Sequence, residues 1–313
     1  MPTAADVNLF PAWDAAVIGG GPAGLTTATY LARFRRRVLL VDSGSSRAAT
    51  IPLSRNYPGF PGGISGAQLL GAMREQAERY PIQTLDARVD TLERTDDSFI
   101  LQGEALPAPI HARRVILATG VNDVWPDLPE AVTALREGVL RFCPVCDGFE
   151  AAGRPVAVLT RSVAGVREAI YLRHFSDDVT LFLSDREAVL PASELRQLRQ
   201  AGITVAEAHP QAFALCEGGV QVRFGDGLRE YAALYSAFGV QVRSRLATGL
   251  GAACDALGYL VVDDHQQTSV PGLYAAGDVA SGLNQISVAV GGAAIASSAI
   301  HLSLGLPASG GNP

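Results

Sequence analysis

Short apolar runs alternate with a segment of helical periodicity in the first part of the chain. Residues 14–18 (DAAVI) and 37–42 (RVLLVD) have the composition of buried parallel strands, and residues 25–33 between them have a helical pattern. A glycine-rich loop, residues 19–24 (GGGPAG), connects the first strand to the helix. This order of strand, glycine loop, helix and strand predicts a βαβ unit of a parallel sheet.

The same alternation returns in the middle of the chain. Residues 154–159 and 179–183 have the pattern of strands, and residues 166–175 between them have that of a helix. Residues 194–198 and 203–205 continue the series. Helices that alternate with parallel strands are typical of an α/β fold, so we expect two Rossmann-like, three-layer domains.

Composition narrows the class of protein without changing this picture. The chain has 313 residues, 48% of them hydrophobic, which is enough for two domains with cores. Its net charge of −6 argues against nucleic acid as a partner. No stretch approaches the roughly 18 uninterrupted apolar residues of a membrane span. Residues 1–11 lack the pattern of a secretory signal, so we expect no membrane association and a cytoplasmic location, with a disordered tail at residues 307–313.

The glycine loop and the acid that follows it predict a dinucleotide site. Gly19 permits a tight turn, Gly21 lets the backbone approach a pyrophosphate, and Gly24 lets the helix pack closely on the strand. The N-terminus of the helix offers N–H groups and a partial positive charge to phosphates. Asp42, about 20 residues further on, is placed to accept hydrogen bonds from ribose hydroxyls.

The far end of the chain favours FAD as the dinucleotide. Residues 268–279 combine a turn, a short apolar strand suited to the same sheet, and the pair Gly277–Asp278, whose carboxylate can bind a ribityl hydroxyl. Gln285 and Ile286 then open a helix of small residues. Its N-terminus would face the flavin N1–C2=O edge, where negative charge collects on reduction.

Two of the four cysteines, Cys143 and Cys146, form a Cys-x-x-Cys pair followed by Asp147. A zinc site would need a second pair of Cys or His ligands, and Cys216 and Cys254 stand alone, so we predict no metal. A Cys-x-x-Cys pair closes a small ring whose disulfide is readily reduced and re-formed. Because an adjacent carboxylate can shuttle a proton, the pattern predicts thiol–disulfide chemistry.

Four motifs occur in the order found in low-molecular-weight thioredoxin reductases, and the chain resembles that family. They are the glycine loop, residues 118–120 (ATG), residues 143–148 (CPVCDG) and residues 268–278. The resemblance implies a flavoprotein oxidoreductase that acts on a thioredoxin-like protein or another dithiol/disulfide substrate. It also implies a homodimer.

The resemblance further implies a discontinuous FAD domain with a second Rossmann-like domain inserted in it. We place the FAD domain at residues 1–121 and 248–313 and the NAD(P)-like domain, which carries the redox pair, at residues 122–247. The joints fall in turn-rich stretches that can act as hinges.

Individual roles also follow from the resemblance. Cys146 corresponds to the thiol next to the flavin, Cys143 to the interchange thiol that attacks the substrate disulfide, and Asp147 to the acid/base that protonates the departing thiolate. The FAD-binding residues that it adds to those above are Pro22, Ala23, Asn56, Val89, Ala118, Thr119 and Gly120.

The second βαβ unit departs from the family pattern at both phosphate contacts. An NADPH-dependent reductase has Gly-x-Gly-x-x-Ala after the strand, whereas this chain has Thr160 and Ser162 in place of the two glycines. Asp185 stands where a basic cluster should bind the 2′-phosphate, and Arg186 is one position out of register. We therefore expect a degenerate nucleotide site and a donor other than NADPH.

The departure is similar to a branch of thioredoxin reductase-like flavoenzymes that do not use pyridine nucleotides. One group in it takes electrons from ferredoxin, and another holds a second FAD in place of the nicotinamide; the sequence leaves both open. Arg33 and residues 35–37 form a basic stretch that would steer an acidic ferredoxin, but a solvated helix end is the better explanation.

Two other functions stay open at this point. One is a dithiol oxidase that acts on a small molecule with oxygen as the acceptor. The other is a flavin-based redox sensor without turnover. Asp147 argues against the sensor, because a sensor has less need of an acid/base.

Overall fold

The computed structural model describes residues 13–128, 130–185, 189–206, 210–225 and 227–306. Contacts between Cα atoms divide these residues into two compact units. The first unit comprises the described residues up to Ala49, Gly66–Asn122 and those from Val242, and the second comprises Thr50–Ser65 and Asp123–Gln241. The predicted disordered tail and Arg186 lie outside the described residues.

The elements follow the chain from end to end. The strands are β1 (Trp13–Ile18), β2 (Val38–Asp42), β3 (Ile82–Asp86), β4 (Thr91–Arg94), β5 (Phe99–Gln102), β6 (Ile110–Leu117), β7 (Val121–Asp123), β8 (Leu140–Arg141), β9 (Val156–Thr160), β10 (Val179–Leu183), β11 (Thr204–Val205), β12 (Pro210–Cys216), β13 (Gly219–Phe224), β14 (Gly227–Tyr231), β15 (Ala233–Ala237), β16 (Val240–Val242) and β17 (Leu273–Ala275). The helices are α1 (Pro22–Arg33), α2 (Gly66–Glu78), α3 (Ala131–Arg136), α4 (Pro144–Asp147), α5 (Ala164–Leu172), α6 (Ala192–Gln200), α7 (Arg245–Thr248) and α8 (Ile286–Ser303).

The first unit is built on a seven-stranded sheet with the order β3-β2-β1-β6-β5-β4, in which β17 also pairs with β6. β3, β2, β1, β6 and β17 run parallel, whereas β5 and β4 continue the sheet antiparallel. Helix α1 packs against α8 and α2. Ala15, Ala16 and Val17 of β1 are completely buried, which explains the unbroken apolar run of that strand.

The second unit has a parallel sheet of its own, with the order β11-β10-β9-β15-β8. A separate antiparallel sheet, β12-β13-β14, packs beside it through Phe182 and Tyr231, whose rings meet edge to face at 5.8 Å. β7 and β16, the strands in which the chain crosses between units, pair with each other. The core under α5 and α6 contains Val158, Leu172 and Leu198.

These two parallel sheets with their helices confirm the predicted α/β class. Helix α1 begins at Pro22, three residues earlier than the periodicity predicted, because proline suits the first helical position. The antiparallel strands had no predicted counterpart. Thr50–Ser65 groups with the second unit, whereas the predicted FAD domain ran unbroken to residue 121, and the return crossing lies at Gln241–Val242.

Helix α8 is long and apolar enough to cross a membrane by length and composition alone. It packs against α1 and β17, and Ala293, Ala296 and Ile300 on its inner face are completely buried. A core helix of a folded domain passes the same test of composition, so we interpret α8 as part of the core of the first unit.

Candidate active site

The glycine loop lies between β1 and α1, where the backbone is packed too closely for side chains. Gly19 has φ +109°, and a Cβ on it would collide with the carbonyl oxygen of Ala118. A Cβ on Gly24 would collide with the carbonyl oxygen of Gly19. Gly21 is the N-cap of α1, and no side chain caps it. The loop therefore has the packing of a phosphate-binding turn, and it fits a dinucleotide.

The tertiary structure brings two distant segments to this loop. Ala118, directly after β6, donates its N–H to the carbonyl of Ile18 at 2.8 Å. Gly277, after β17, has φ +77°, and a Cβ on it would lie 3.0 Å from the Cβ of Ala23. Three of the predicted FAD segments thus meet at the carboxyl edge of one parallel sheet, where such sheets bind their ligands.

The two predicted carboxylates of this site are both held by arginines. Asp42 accepts a hydrogen bond from the N–H of Gly20 at 3.0 Å, and its Oδ2 lies 3.4 Å from Nη2 of Arg74. Asp278 Oδ2 lies 3.1 Å from Nη1 of Arg47. Neither arginine belongs to a motif, so no local pattern marks them. Their charges orient the carboxylates and add positive potential at this edge of the sheet.

The Ala-Thr-Gly segment is anchored by Arg243. Thr119 donates its hydroxyl to the carbonyl of Arg243 at 2.7 Å, and the N–H of Arg243 donates to the carbonyl of Gly120 at 3.0 Å. The structure thereby fixes the segment by backbone contacts within the first unit.

The other predicted FAD residues are placed differently. Gln285 is the N-cap of α8 and Ile286 its first residue, as expected, and Val89 is buried in the connection between β3 and β4. Asn56 accepts a hydrogen bond from the hydroxyl of Ser54 at 3.1 Å and belongs to the segment that groups with the second unit. The assignment of Asn56 to the FAD site stays a prediction.

The redox pair lies in the second unit, directly after β8. Cys143 and Cys146 form a disulfide, and their Cα atoms are 5.3 Å apart. Cys143 is the N-cap of α4, Pro144 takes the first helical position, and the N–H of Cys146 donates to the carbonyl of Cys143 at 2.9 Å. Both cysteines are half-buried and the intervening Val145 is exposed, so the pair lies near the surface of its unit.

Asp147 ends α4 directly after Cys146, and two residues from other elements hold it. The hydroxyl of Tyr235 donates to Asp147 Oδ1 at 3.0 Å. Nη1 of Arg141 donates to the carbonyl of Asp147 at 2.7 Å and lies 3.8 Å from Oδ1. The same Nη1 donates to the hydroxyl oxygen of Tyr235 at 3.1 Å. Arginine, tyrosine and aspartate form one connected network beside the disulfide.

This environment shifts the pKa of both acids in the network. Burial raises the pKa of the Asp147 carboxyl to about 6, against the opposing effects of the Arg141 charge and the Tyr235 hydrogen bond, and the charge of Glu150 adds to the rise. Burial and the charge of Asp147 raise the pKa of Tyr235, which therefore stays a neutral donor. A carboxyl that titrates near pH 6 can accept and return a proton close to neutrality.

The loop after β9 is closed by the chain's own hydroxyls. The hydroxyl oxygen of Thr160 lies 3.0 Å from the carbonyl of Ser162 and 3.1 Å from that of Ala237, and it accepts from the N–H of Ser162 at 3.1 Å. Ser162 Oγ accepts from the N–H of Ala164 at 3.3 Å. Backbone N–H groups that a phosphate would need are therefore bound to protein side chains.

Thr160 is completely buried, and its side chain fills the space beside Gly165. A Cβ on Gly165 would collide with the Cβ, Cγ2 and Oγ1 of Thr160. The usual Gly-x-Gly-x-x-Ala pattern has its small residue first and its larger one last. In this chain the larger residue, Thr160, stands at the first position and the smaller, Gly165, at the last, and the strand still packs closely on α5.

Asp185 lies at the same edge of the second sheet. β10 pairs with β9 with Leu183 opposite Thr160, so the exposed Asp185 follows the strand next to the closed loop. Its carboxylate adds negative potential where a nucleotide phosphate would need positive charge. Arg186, the predicted partial compensation, is not among the described residues.

The basic stretch near the end of α1 is used by the fold. Arg36 is only 4% exposed; it donates from Nε to Nδ1 of His301 at 3.0 Å and from Nη2 to the carbonyl of the same residue at 2.9 Å. Arg33 donates to the hydroxyl of Tyr80 at 2.6 Å. Arg36 thus caps the end of α8, so at this residue the expectation of a solvated helix end is wrong: the side chain is buried in a structural contact.

The sequence missed Arg141 and Tyr235 as functional residues. A basic residue two positions before a reactive cysteine was a usable signal, because positive charge favours a thiolate. Tyr235 follows Asp147 by 88 residues and has no motif around it, so only the fold identifies it. Among the described residues, no cluster of three or more potential metal ligands occurs, and Cys216 and Cys254 are free thiols.

Known proteins share this architecture. The sequence profile of the family described as pyridine nucleotide-disulphide oxidoreductase matches residues 13–293. A thioredoxin reductase of Treponema pallidum is 31% identical over 308 residues, which cover 92% of this chain and 95% of that protein. One from Coxiella burnetii is 30% identical over 200 residues, 62% of this chain and 61% of that protein. The crystal structure of thioredoxin reductase from Streptococcus pyogenes has a TM-score of 0.83 at 26% identity, covering 93% of this chain and 98% of that one.

Proposed function

The chain belongs to the pyridine nucleotide-disulphide oxidoreductase family, and from this premise we propose that its redox pair receives electrons from a donor other than NADPH. The resemblance to thioredoxin reductases is confirmed, so the protein is a thioredoxin reductase-like disulfide oxidoreductase, and its family implies FAD as the cofactor. The proposal concerns the finer points: the donor, the residues that act, and the substrate.

The closed loop after β9 carries the proposal. In a nucleotide-binding loop, glycines let the pyrophosphate approach the backbone and leave N–H groups to bind it. In this chain the buried side chain of Thr160 occupies that turn, and the hydroxyls of Thr160 and Ser162 accept from the N–H groups of Ser162 and Ala164. Binding of NADPH would require these contacts to break while Asp185 repels the phosphates.

The FAD site fits the first unit. Gly19 and Gly24 provide the close turn, the N-terminus of α1 would bind the phosphates, and Asp42 and Asp278 would accept from ribose and ribityl hydroxyls. FAD, when bound, supplies the two-electron reduction of the Cys143–Cys146 disulfide. The chain contributes the shape and the charges that hold it.

The dithiol then exchanges with the substrate disulfide. The Cys143 thiolate attacks one substrate sulfur, the S–S bond of the substrate breaks, and the departing thiolate takes a proton from the Asp147 carboxyl. Cys146 next gives up its proton to the second substrate sulfur and attacks Sγ of Cys143, which re-forms the disulfide and releases the second substrate thiol. Two electrons pass from the enzyme dithiol to the substrate. A thioredoxin-like protein is the substrate we propose, since the T. pallidum and C. burnetii relatives are thioredoxin reductases.

Anaerobic titration with NADPH tests the choice of donor. We expect the flavin absorbance of the holoenzyme to stay that of the oxidised cofactor at micromolar NADPH, whereas dithionite, as the control, bleaches it fully. Rapid bleaching by micromolar NADPH would contradict the proposal.

Two donors are compatible with a closed nucleotide loop, and they differ in stoichiometry. A ferredoxin would reduce an enzyme with one flavin per chain, and a second FAD would double that content. Extraction of the flavin and its quantification per chain, followed by reduction with photoreduced ferredoxin, separates them. Oxygen uptake driven by a small dithiol alone would instead support the oxidase function.

We also propose that the protein is a homodimer through the outer face of α8. Val288, Ile295 and Leu302 recur every seven residues on that helix and are exposed, with Leu302 at 78%. Such a stripe fits a second copy of the same helix. Light scattering should give twice the chain mass, and Ile295→Asp should give the monomer. A monomeric wild-type protein at micromolar concentration would exclude this interface.

A further inference from the structure

Arg141, Tyr235 and Asp147 are linked by hydrogen bonds in a fixed direction. The guanidinium of Arg141 donates to the hydroxyl oxygen of Tyr235, which in turn donates to Oδ1 of Asp147 at 3.0 Å. The tyrosine hydroxyl has one proton and also lies 3.2 Å from the carbonyl of Asp147, but that carbonyl already accepts from Arg141 at 2.7 Å. The carboxylate is therefore the better acceptor for the tyrosine proton.

The fold holds the first two members rigidly. β8 and β15 are parallel neighbours, and Arg141 and Tyr235 are register partners across them. Tyr235 is completely buried, and the guanidinium carbon lies 5.7 Å from the centre of its ring. Nε of Arg141 donates to the carbonyl of Gly138 at 2.8 Å. Both side chains are thus fixed by the sheet, independently of α4.

We propose that Arg141 and Tyr235 are positioning residues for Asp147, which hold its Oδ1 so that Oδ2 exchanges the proton with the thiols. This inference rests on the proposed function and extends it to residues outside the Cys-x-x-Cys-Asp motif. The proton leaves a thiol of the reduced pair, resides on the carboxyl, and passes to the departing substrate thiolate, so that no proton is gained or lost in the transfer.

The groups around Asp147 determine whether its pKa rises or falls when Tyr235 or Arg141 is changed. Arg141 on β8 and Tyr235 on β15 favour the carboxylate, and Glu150, 3.9 Å from Arg55, disfavours it. Glu168 is on α5, which packs against α4, and burial raises the pKa of its own carboxyl to about 7. Removal of the Tyr235 hydroxyl therefore raises the pKa of Asp147, and the acid form persists to higher pH.

The test uses the reduced holoenzyme, prepared anaerobically with dithiothreitol and desalted, in single turnover with cystamine. The reacting state has one proton shared between the Cys143 thiol and the Asp147 carboxyl, so the wild-type rate falls at high pH, where both groups have lost their protons. Tyr235→Phe should shift the midpoint of this fall upward by about one pH unit, a tenfold change in the ionisation equilibrium. Arg141→Gln should shift it in the same direction, which keeps the test decisive if one variant fails to fold.

Two controls separate positioning from general damage. An aromatic disulfide releases an acidic thiol that needs no proton, so Tyr235→Phe should leave that rate within about twofold. Tyr231→Phe alters an equally buried tyrosine on β14, whose ring packs on Phe182, and it should leave the cystamine midpoint unchanged.

The two ways to fail give different results. If Asp147→Asn abolishes the pH dependence while Tyr235→Phe and Arg141→Gln leave the midpoint in place, the positioning inference is wrong and the proposed function stands. If Cys143→Ser and Asp147→Asn both leave the exchange with cystamine unchanged, the proposed function itself is wrong.

Discussion

The two units of this protein contain the same local topology with opposite loop chemistry. In the first unit the strand β1 leads through residues 19–21 into α1, and in the second β9 leads through residues 161–163 into α5. In the first loop, collisions between backbone atoms and any added Cβ require Gly19 and Gly24. In the second loop the side chain of Thr160 occupies the turn, and Gly165 beside it has no Cβ that would collide with this side chain.

The difference shows that the scaffold and the ligand site have separate requirements. A strand and a helix need one small residue where they cross, and either end of the loop can supply it. A phosphate additionally needs N–H groups that have no other acceptor. In the second loop the N–H groups of Ser162 and Ala164 donate to the hydroxyls of Thr160 and Ser162. A Rossmann-like unit can thus keep its core while the N–H groups of its loop bind the chain's own hydroxyls.

The largest expected effect comes from placing threonine, the residue of the second loop, at position 19 of the first loop. Gly19→Thr introduces a Cβ against the carbonyl of Ala118 at a backbone φ of +109°. Such strain costs on the order of 1–3 kcal/mol before the collision is counted, so FAD affinity should fall at least about tenfold. Flavin absorbance per chain after gel filtration measures it. Full flavin content in the variant would show that the first loop tolerates a side chain.

The converse change should open the second loop. Thr160→Gly, Ser162→Gly, Gly165→Ala and Asp185→Arg together restore the family pattern at the first phosphate contact and place one basic residue at the second. We expect NADPH to reduce the flavin of this variant at a measurable rate and not that of the wild type. Asp185→Arg alone is the control and should remain inert. A well-folded quadruple variant that stays inert would show that the loop is not what prevents NADPH use.

Because Thr160 packs against Gly165, we expect substitutions at the two positions to have non-additive effects on the free energy of unfolding. Gly165→Ala places a Cβ against Thr160 and should lower the free energy of unfolding by about 1–3 kcal/mol. In a Thr160→Gly background the same change should be nearly neutral. Urea denaturation of the four proteins gives the coupling energy, and additive effects would contradict the packing argument.

The smallest expected effect is the difference between two variants that separate the hydroxyl of Thr160 from its volume. Thr160→Val keeps the volume but leaves the carbonyl of Ala237 and the N–H of Ser162 without their partner, at a cost of about 1–3 kcal/mol. Thr160→Ser keeps the hydroxyl and should cost less. Thermal denaturation ranks the two variants, and equal melting temperatures would mean that the hydrogen bonds do not hold the loop.

Local patterns predicted the parts of the fold that depend on neighbours in sequence. The glycine loop, the apolar run of β1 and the Cys143–Cys146 pair were identified because each acts over a few residues. The antiparallel strands were missed, since half-exposed strands carry a weak periodicity. The grouping of Thr50–Ser65 with the second unit was not predicted, because it depends on contacts with residues far away in the sequence.

The sequence by itself determined the α/β class, the dinucleotide turn and the disulfide chemistry, because glycine conformation and Cys-x-x-Cys geometry are local properties. Only the tertiary structure decided what surrounds Asp147. Arg141 and Tyr235 are 94 residues apart and meet because β8 and β15 pair in register. The pKa of that carboxyl follows from burial and from groups brought together by sheet pairing, and no local pattern contains that information.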